Sequence, residues 1–547
     1  MLLQRKALLV YVVLLLTALS FRFYLATFLP NDEPNDGKVY AQIARNILEQ
    51  RVYSHATEPP YEPSLIRLPG YPLFLASIYS LSGHSNNRAV RVVQAITDTF
   101  ACGVVGFIAY IWEADPKRKL LAGSFALALS ALCPFTAIYV ATILTEIPTI
   151  FLAVTMLLSA SLAFQAKSAR RSVAPWITTG VIGGLAVLFR PDSGLFVASI
   201  GLAFVGVTAS RIHKHSDLGL GRAMRRVLPR SCSSLIVFAL GFSLVLAPWT
   251  VRNYRVFHLF QPLAPAHAEM PGEFVPRGYL KWVRTWIEDQ RAVGPALWWL
   301  DEHAIKLSDF PEQAFASRAE QETVAAMLDK YNHPVDSQSS ETSAESQTDE
   351  NTKSDESSEA RPGDEAESSS AAEEEDGNKA DAQNTDAEEQ NVEMTPEIDA
   401  GFELLAQARI ANNPLRYYFV LPLKRALNLW FDTHSQYYPF DGELFPLSNL
   451  DHDLNQQFWL PLFCILTGFY TLLGIIGGSI LWISRKAGAR RWLLLAALLV
   501  LTRIVFFSTL ENPEPRYVVE IFPFLSILGG IAAARITAFF LPSQTAN

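Results

Sequence analysis

The stretch "RKALLVYVVLLLTALSFRFYLATFL", residues 5–29, decides the fold. An apolar run of this length, wound as a helix rising 1.5 Å per residue, crosses the roughly 30 Å hydrocarbon core of a bilayer. It is longer than a signal-peptide core and has no small-x-small cleavage site, so it reads as a retained anchor. Counting from it, apolar runs of similar length predict membrane helices at 7–29, 89–112, 119–141, 145–165, 174–190, 192–209, 233–250, 457–483, 491–509 and 517–541. The expected fold is an all-α polytopic membrane protein with about ten transmembrane helices, extracytoplasmic loops and a disordered acidic insert.

The formal net charge of −9 is misleading, because residues 336–397 alone carry 21 acids against three bases and leave the remainder positive. That segment, rich in Ser, Glu, Asp and Ala, has too little apolar surface to offset the entropy of ordering and is expected to be disordered. The organisation expected is a membrane module with its first outer loop (1–250, loop 30–88), an outward segment (251–333), the acidic insert (334–398), a surface segment (399–456) and late spans (457–547). Cys102, Cys133, Cys232 and Cys464 fall in or beside apolar runs and imply no disulfide framework.

Ten spans put both termini on one side, and "QRK" (4–6), "PKRK" (116–119), "KSARR" (167–171), Arg211 to Arg230 and "RKAGARR" (485–491) all fall there. The positive-inside bias makes that side cytoplasmic and the location the inner membrane. Residues 30–88 and 251–456 then face outward, as do the turns around 142–145, 190–193 and 510–516. No phosphate-binding glycine loop follows a strand, so cytosolic nucleotides and nucleic acid are not expected partners.

"NDEPNDGKVY" (31–40) gathers acid on the outer side, and "DGKVYAQIARNIL" continues it as an amphipathic helix with Asp36 at its start, a position that also suits an N-cap. "EPSLIRLPGYPLFLASIYSLSG" (62–83) returns the chain to the membrane on a path fixed by prolines and a glycine, with Arg67 before the turn. Glu146, Arg190 with Asp192, Arg252 and Arg516 stand at the outer ends of four spans. Guanidiniums on the side where the orienting bias does not ask for cations need anions, either a lipid phosphate or acids such as Asp192, Glu511, Glu514 and Glu520. Asp98, alone inside the second span, is expected to pair with one of these arginines or face a cavity. "DHD" (451–453) reads as a solvated loop, and no motif requires a metal or cofactor, though a divalent ion stays compatible.

In this order, "NDGKVYAQIARNI", "RLPGYPLFLASIY", "TE" (145–146), "FRPDSG", "APWTVRNY" and "EPRYVVEIFPFL" resemble the GT-C membrane glycosyltransferases, nearest the bacterial relatives of protein O-mannosyltransferases and of the aminoarabinose transferase acting on lipid A. The likeness covers nearly all of the membrane part, and "NPLRYYFVLPLKRALNLWF" (413–431) is similar to the surface segment before the late spans. It implies transfer of a sugar from a polyprenyl-phosphate donor to a lipid, protein or glycan acceptor on the outer face, usually with inversion. Asp36, four residues before Tyr40, matches the catalytic acid; Gly37 stands where relatives often carry a second acid, and Asp32 and Glu33 lie upstream. Arg67, Tyr71, Glu146, Arg190, Asp192, Arg252, Arg516 and Tyr517 are implied to bind donor phosphate or substrate, with Tyr40 and Asp98 in support. The competing readings are a transporter or lipid flippase, against which stands the lack of internal repeats, and a non-catalytic envelope protein.

Overall fold

The computed structural model describes residues 2–29, 35–83, 85–215, 217, 219–334, 392–442, 444, 447, 454–484 and 488–540, with side chains from Leu8 onward. Asp32, Glu33, the acidic stretch 335–391 and the 451–453 loop lie outside the described residues. Every regular element among those described is helical. Among the described residues, nine helices are long and apolar enough to cross a membrane, or ten if one bent pair is a single span. The chain is thus a multi-pass membrane protein.

The spans are α1 (Leu2–Phe28), α4 (Asn87–Trp112), α7 (Glu146–Gln165), α8 (Ala169–Phe189), α9 (Gly194–Lys214), α10 (Leu220–Phe257), α15 (Leu454–Ile483), α16 (Ala489–Ser508) and α17 (Phe522–Phe540). Where one helix was expected over 119–141, the chain makes α5 (Lys119–Ala131), then α6 (Pro134–Ala137) and a 3-10 turn bent by 52°. Pro134 has no N–H to continue the ladder, and Cys133 before it is extended at φ −70°, ψ 110°. α10 outruns the expected 233–250 by beginning at Leu220, because helix formation continues past the apolar window into "LGRAMRRVLPR".

α17 is apolar all round and lies inside the bundle, packed by α4, α5 and α15. Small residues allow such close approach where the hydrophobic effect gives no drive between helices. At Gly180 of α8 an added Cβ would stand 2.1 Å from the Phe238 carbonyl oxygen of α10. Exposed Leu8, Leu16, Leu244, Ile475 and Phe539 form the lipid-facing surface.

Between the spans, α2 (Asn35–Glu49) buries Ala41 and Ala44 against α3 (Gly70–Ser82), with Tyr40, Ile47 and Leu48 of its apolar face packed beside them. Asn46 Nδ2 donates to the carbonyls of Ser54 and Ala56, and Tyr53 Oη donates to the Arg67 carbonyl, which fixes the return loop. A separate outer lobe of α11 (Arg277–Arg284), α12 (Arg318–Asn332) and α13 (Pro396–Asn412) packs around Tyr279, Trp282, Trp286, Phe310 and Phe402. It is tied to the membrane bundle by Arg284 with Glu511 and, through the surface helix α14 (Leu421–Phe431), by Arg425 Nε donating to the Ile287 carbonyl at 2.8 Å.

Gly70 sets α3 against the end of α8: an added Cβ would stand 2.6 Å from the Leu188 carbonyl oxygen and from the Phe189 ring. Gly70→Ala is therefore expected to cost about 1–3 kcal/mol by overpacking and to lower activity by displacing Arg67. Thermal unfolding in lipid, read beside turnover, checks this; an unchanged midpoint would remove the close approach.

Candidate active site

A cavity of about 1240 Å³ lies between the lobe and the outer ends of the spans. Its walls carry Asp36, Tyr40, Arg67, Glu146, Arg190, Asp192, Arg516 and Tyr517, so eight of the residues singled out from the sequence share one space. Local backbone chemistry explains how each arrives. Pro191 disfavours the helical conformation at Arg190, which turns to φ −147°, ψ 124° and ends α8. Glu146 opens α7, and Pro515 opens the 3-10 turn Pro515–Ile521 that carries Arg516.

Asp36 lies in the first turn of α2, and its carboxylate joins two guanidiniums. Arg67 Nη2 donates to Oδ1 at 2.8 Å and Arg516 Nη2 donates to Oδ2 at 3.2 Å. Burial raises the Asp36 carboxyl, but Arg516 and then Arg67 lower it by more, and it stays below the ordinary aspartate range. It is therefore ionised at neutral pH. Tyr40 sits beside it, pushed up to about 12 by burial, and is neutral. Arg516 also pairs with Glu514, which accepts from Tyr517 Oη at 3.1 Å and Asn512 Nδ2 at 2.8 Å.

Behind this pair runs a buried ion network. Arg190 Nη1 meets Glu146 Oε1 at 2.9 Å and Glu520 Oε1 at 3.2 Å, and its Nε meets Asp192 Oδ1 at 3.1 Å. Arg503 Nη2 meets Asp192 Oδ2 at 2.6 Å and Glu520 Oε2 at 2.9 Å, while its Nε donates to the Tyr517 carbonyl. Each of the four arginines 67, 190, 503 and 516 thus has a carboxylate partner. Among the described residues Glu146 Oε2 is buried with no hydrogen-bond partner. Among the described residues no group of three His, Cys, Asp or Glu is placed to hold a metal ion.

Three expected site residues stand elsewhere. Arg252 packs over the rings of Tyr53, Trp249 and Phe257, and its Nη1 donates to the Ser64 carbonyl at 2.8 Å, so aromatic faces and a carbonyl hold it away from the cavity wall. Tyr71 is fully buried, with its hydroxyl on Gln94 Oε1 at 3.0 Å and its ring against Tyr40. Asp98 pairs with Arg22 of α1 at 2.6 Å inside the bundle, not with a cavity arginine. Conversely Glu514 lines the cavity, and Arg503 and Glu520 brace its wall from behind, although reading the residues alone treats the two acids only as possible partners of the arginines and passes over Arg503. The signal for Arg503 was an arginine within an apolar run.

Residues 62–223 of this multi-pass chain match the family model described as dolichyl-phosphate-mannose-protein mannosyltransferase. The matched segment contains Arg67, Glu146, Arg190 and Asp192 and leaves Asp36, Arg503 and Arg516 outside it. Two solved structures are similar at low TM-score. ArnT from Cupriavidus metallidurans bound to undecaprenyl phosphate has 13% identity and a TM-score of 0.35, over 96% of this chain and 78% of that one. Its apo state has 14% identity and a TM-score of 0.32, over 96% and 77%. No protein of curated function matches the chain.

Proposed function

We propose that the enzyme uses Asp36 as general base to transfer a sugar, with inversion, from a polyprenyl-phosphate donor to an acceptor hydroxyl on the extracytoplasmic face of the inner membrane. The observation that carries this reading is the Asp36 carboxylate held between Arg67 and Arg516 on the cavity wall. An entering donor phosphate competes with Asp36 for the two guanidiniums, so binding neutralises the phosphate and releases the carboxylate at the same moment. The acceptor oxygen then attacks the anomeric carbon, its proton passes to Asp36, and the bond to the phosphate oxygen breaks with its electron pair left on polyprenyl phosphate. Glu146 Oε2 offers an acceptor for a hydroxyl of the sugar. The basic residues 116–119, 167–171 and 211–230, at the far ends of the spans from the cavity, support cytoplasmic termini.

Arg516→Ala is expected to lower kcat/KM for the lipid donor roughly 10- to 100-fold, the worth of a lost charge-assisted hydrogen bond, and to leave the KM of the acceptor nearly unchanged. Steady-state kinetics with each substrate varied in turn checks this. Equal donor kinetics for variant and wild type would take Arg516 out of the phosphate site.

A further inference from the structure

The cavity has more room than one substrate needs. At about 1240 Å³ it exceeds the roughly 300–1,000 Å³ of a pocket for one small ligand, so a second molecule fits beside the donor. Its walls differ in chemistry. The side made by the spans carries the paired ions around Asp36, whereas the side made by the outer lobe and the loop leading into it carries Glu269, Glu273, Phe274 and Trp298.

Trp298 ends the π-helical turn Gly294–Trp298 and is 50% exposed, while Trp282 and Trp286 of the same lobe are buried in its core. Phe274 is 48% exposed. Neither ring belongs to the lobe's core, and neither has an aromatic partner among the described residues. Glu269 Oε2 accepts from the His267 amide at 2.9 Å and Glu273 Oε2 from the Met270 amide at 2.6 Å, so the loop's own backbone orients both carboxylates. Their Oε1 atoms have no partner among the described residues. Free ring faces beside oriented acceptors suit a sugar ring, whose C–H face lies against the negative face of an aromatic while its hydroxyls donate to carboxylates.

Charge narrows the class further. Seven carboxylates and four arginines line the cavity. Arg190 is held by Glu146, Asp192 and Glu520, and Arg284 by Glu511, so once the donor phosphate occupies Arg67 and Arg516 no described arginine of the wall is left for a second anion. An acceptor bearing phosphate would be repelled. Nor would such an acceptor need a base, because a phosphate monoester is already ionised at neutral pH, whereas a sugar hydroxyl has a proton to give up. Resting on the transfer reading above, we propose that the lobe side of the cavity is the acceptor subsite and that the acceptor is an uncharged glycan, stacked on Trp298 and Phe274 with its hydroxyls on Glu269 and Glu273.

The test measures binding to the detergent-solubilised full chain, without donor, of three kinds of labelled probe: neutral oligosaccharides of hexose and N-acetylhexosamine, the same chains bearing a phosphate monoester, and a peptide rich in Ser and Thr. Wild type is expected to hold a neutral chain roughly tenfold more tightly than its phosphorylated form. Trp298→Ala should weaken that binding roughly tenfold, and Trp298→Phe should keep most of it. The proposal is overturned if wild type holds the phosphorylated chain as tightly as the neutral one, prefers the peptide, or retains no neutral chain, and equally if the folded alanine variant binds undiminished. Should the alanine variant not fold, wild type and the phenylalanine variant decide. Glycan binding without donor cleavage would sink the transfer reading and leave the glycan site standing; donor cleavage with no glycan bound would sink this proposal and leave the transfer.

Discussion

Asp36→Asn is expected to lower sugar transfer by about 10²- to 10⁴-fold while leaving insertion and folding intact. The amide keeps the shape of the carboxylate and cannot take the acceptor's proton, and it also loses the charge that orders Arg67 and Arg516. Folding should tolerate the change because Asp36 is a partly exposed residue of a surface helix, and both arginines keep other surroundings: Tyr40 for Arg67, Glu514 for Arg516. A second result follows from the exchange of phosphate for carboxylate. In the free enzyme the two arginines hold the Asp36 carboxyl below its ordinary value, and once the phosphate has taken them that hold weakens. The acid limb of kcat should therefore lie at higher pH than the acid limb of kcat/KM, since the first reports the complex and the second the free enzyme. Coincident limbs would show that Asp36 keeps its arginines through turnover. The stability carried by these pairs has the same sign: it is present above the unfolded aspartate value and is lost as pH falls through the depressed folded one.

Arg503→Met is expected to destabilise the folded protein by about 3–5 kcal/mol, the cost of leaving buried carboxylates without a partner. Arg503 is 0% exposed and touches no cavity wall, yet it holds Asp192, Glu520 and the Tyr517 carbonyl together. Those contacts fix the Pro515–Ile521 turn and with it Arg516, so transfer should fall as well. Arg503→Met combined with Glu520→Leu removes both a cation and an anion and should recover part of the stability; the difference between the double and single variants measures their coupling. Thermal unfolding in lipid reads both. A single variant as stable as wild type would mean the network bears no structural weight.

How far the sequence spoke depended on the kind of information each feature needs. Spans are a matter of run length along the chain, which is why the apolar windows place all ten, with α10 running on past its window into polar residues and the 119–141 span bent where Pro134 removes a donor. Depth is also local, and so Glu146, Arg190, Asp192 and Arg516 could be assigned to one level. Lateral neighbours are not local. Arg252 shares that depth but faces Tyr53 and Trp249, and Asp98 finds Arg22, 76 positions earlier, instead of an outer arginine. Arg503 and Arg22 were both visible as guanidiniums inside apolar runs, a placement sustained only by internal anions, and the same rule that singled out Asp98 applied to them.

The most direct measurement of the central claim follows the donor itself. Purified protein in bilayers is given a polyprenyl-phosphate sugar labelled in both parts, and the separation of the labels is followed in the presence of membrane acceptors. Wild type should release polyprenyl phosphate as the sugar appears on an acceptor, and Asp36→Asn should release almost none. Release by the variant at the wild-type rate, or an intact donor with folded wild type, would contradict an aspartate-centred transfer between the two arginines.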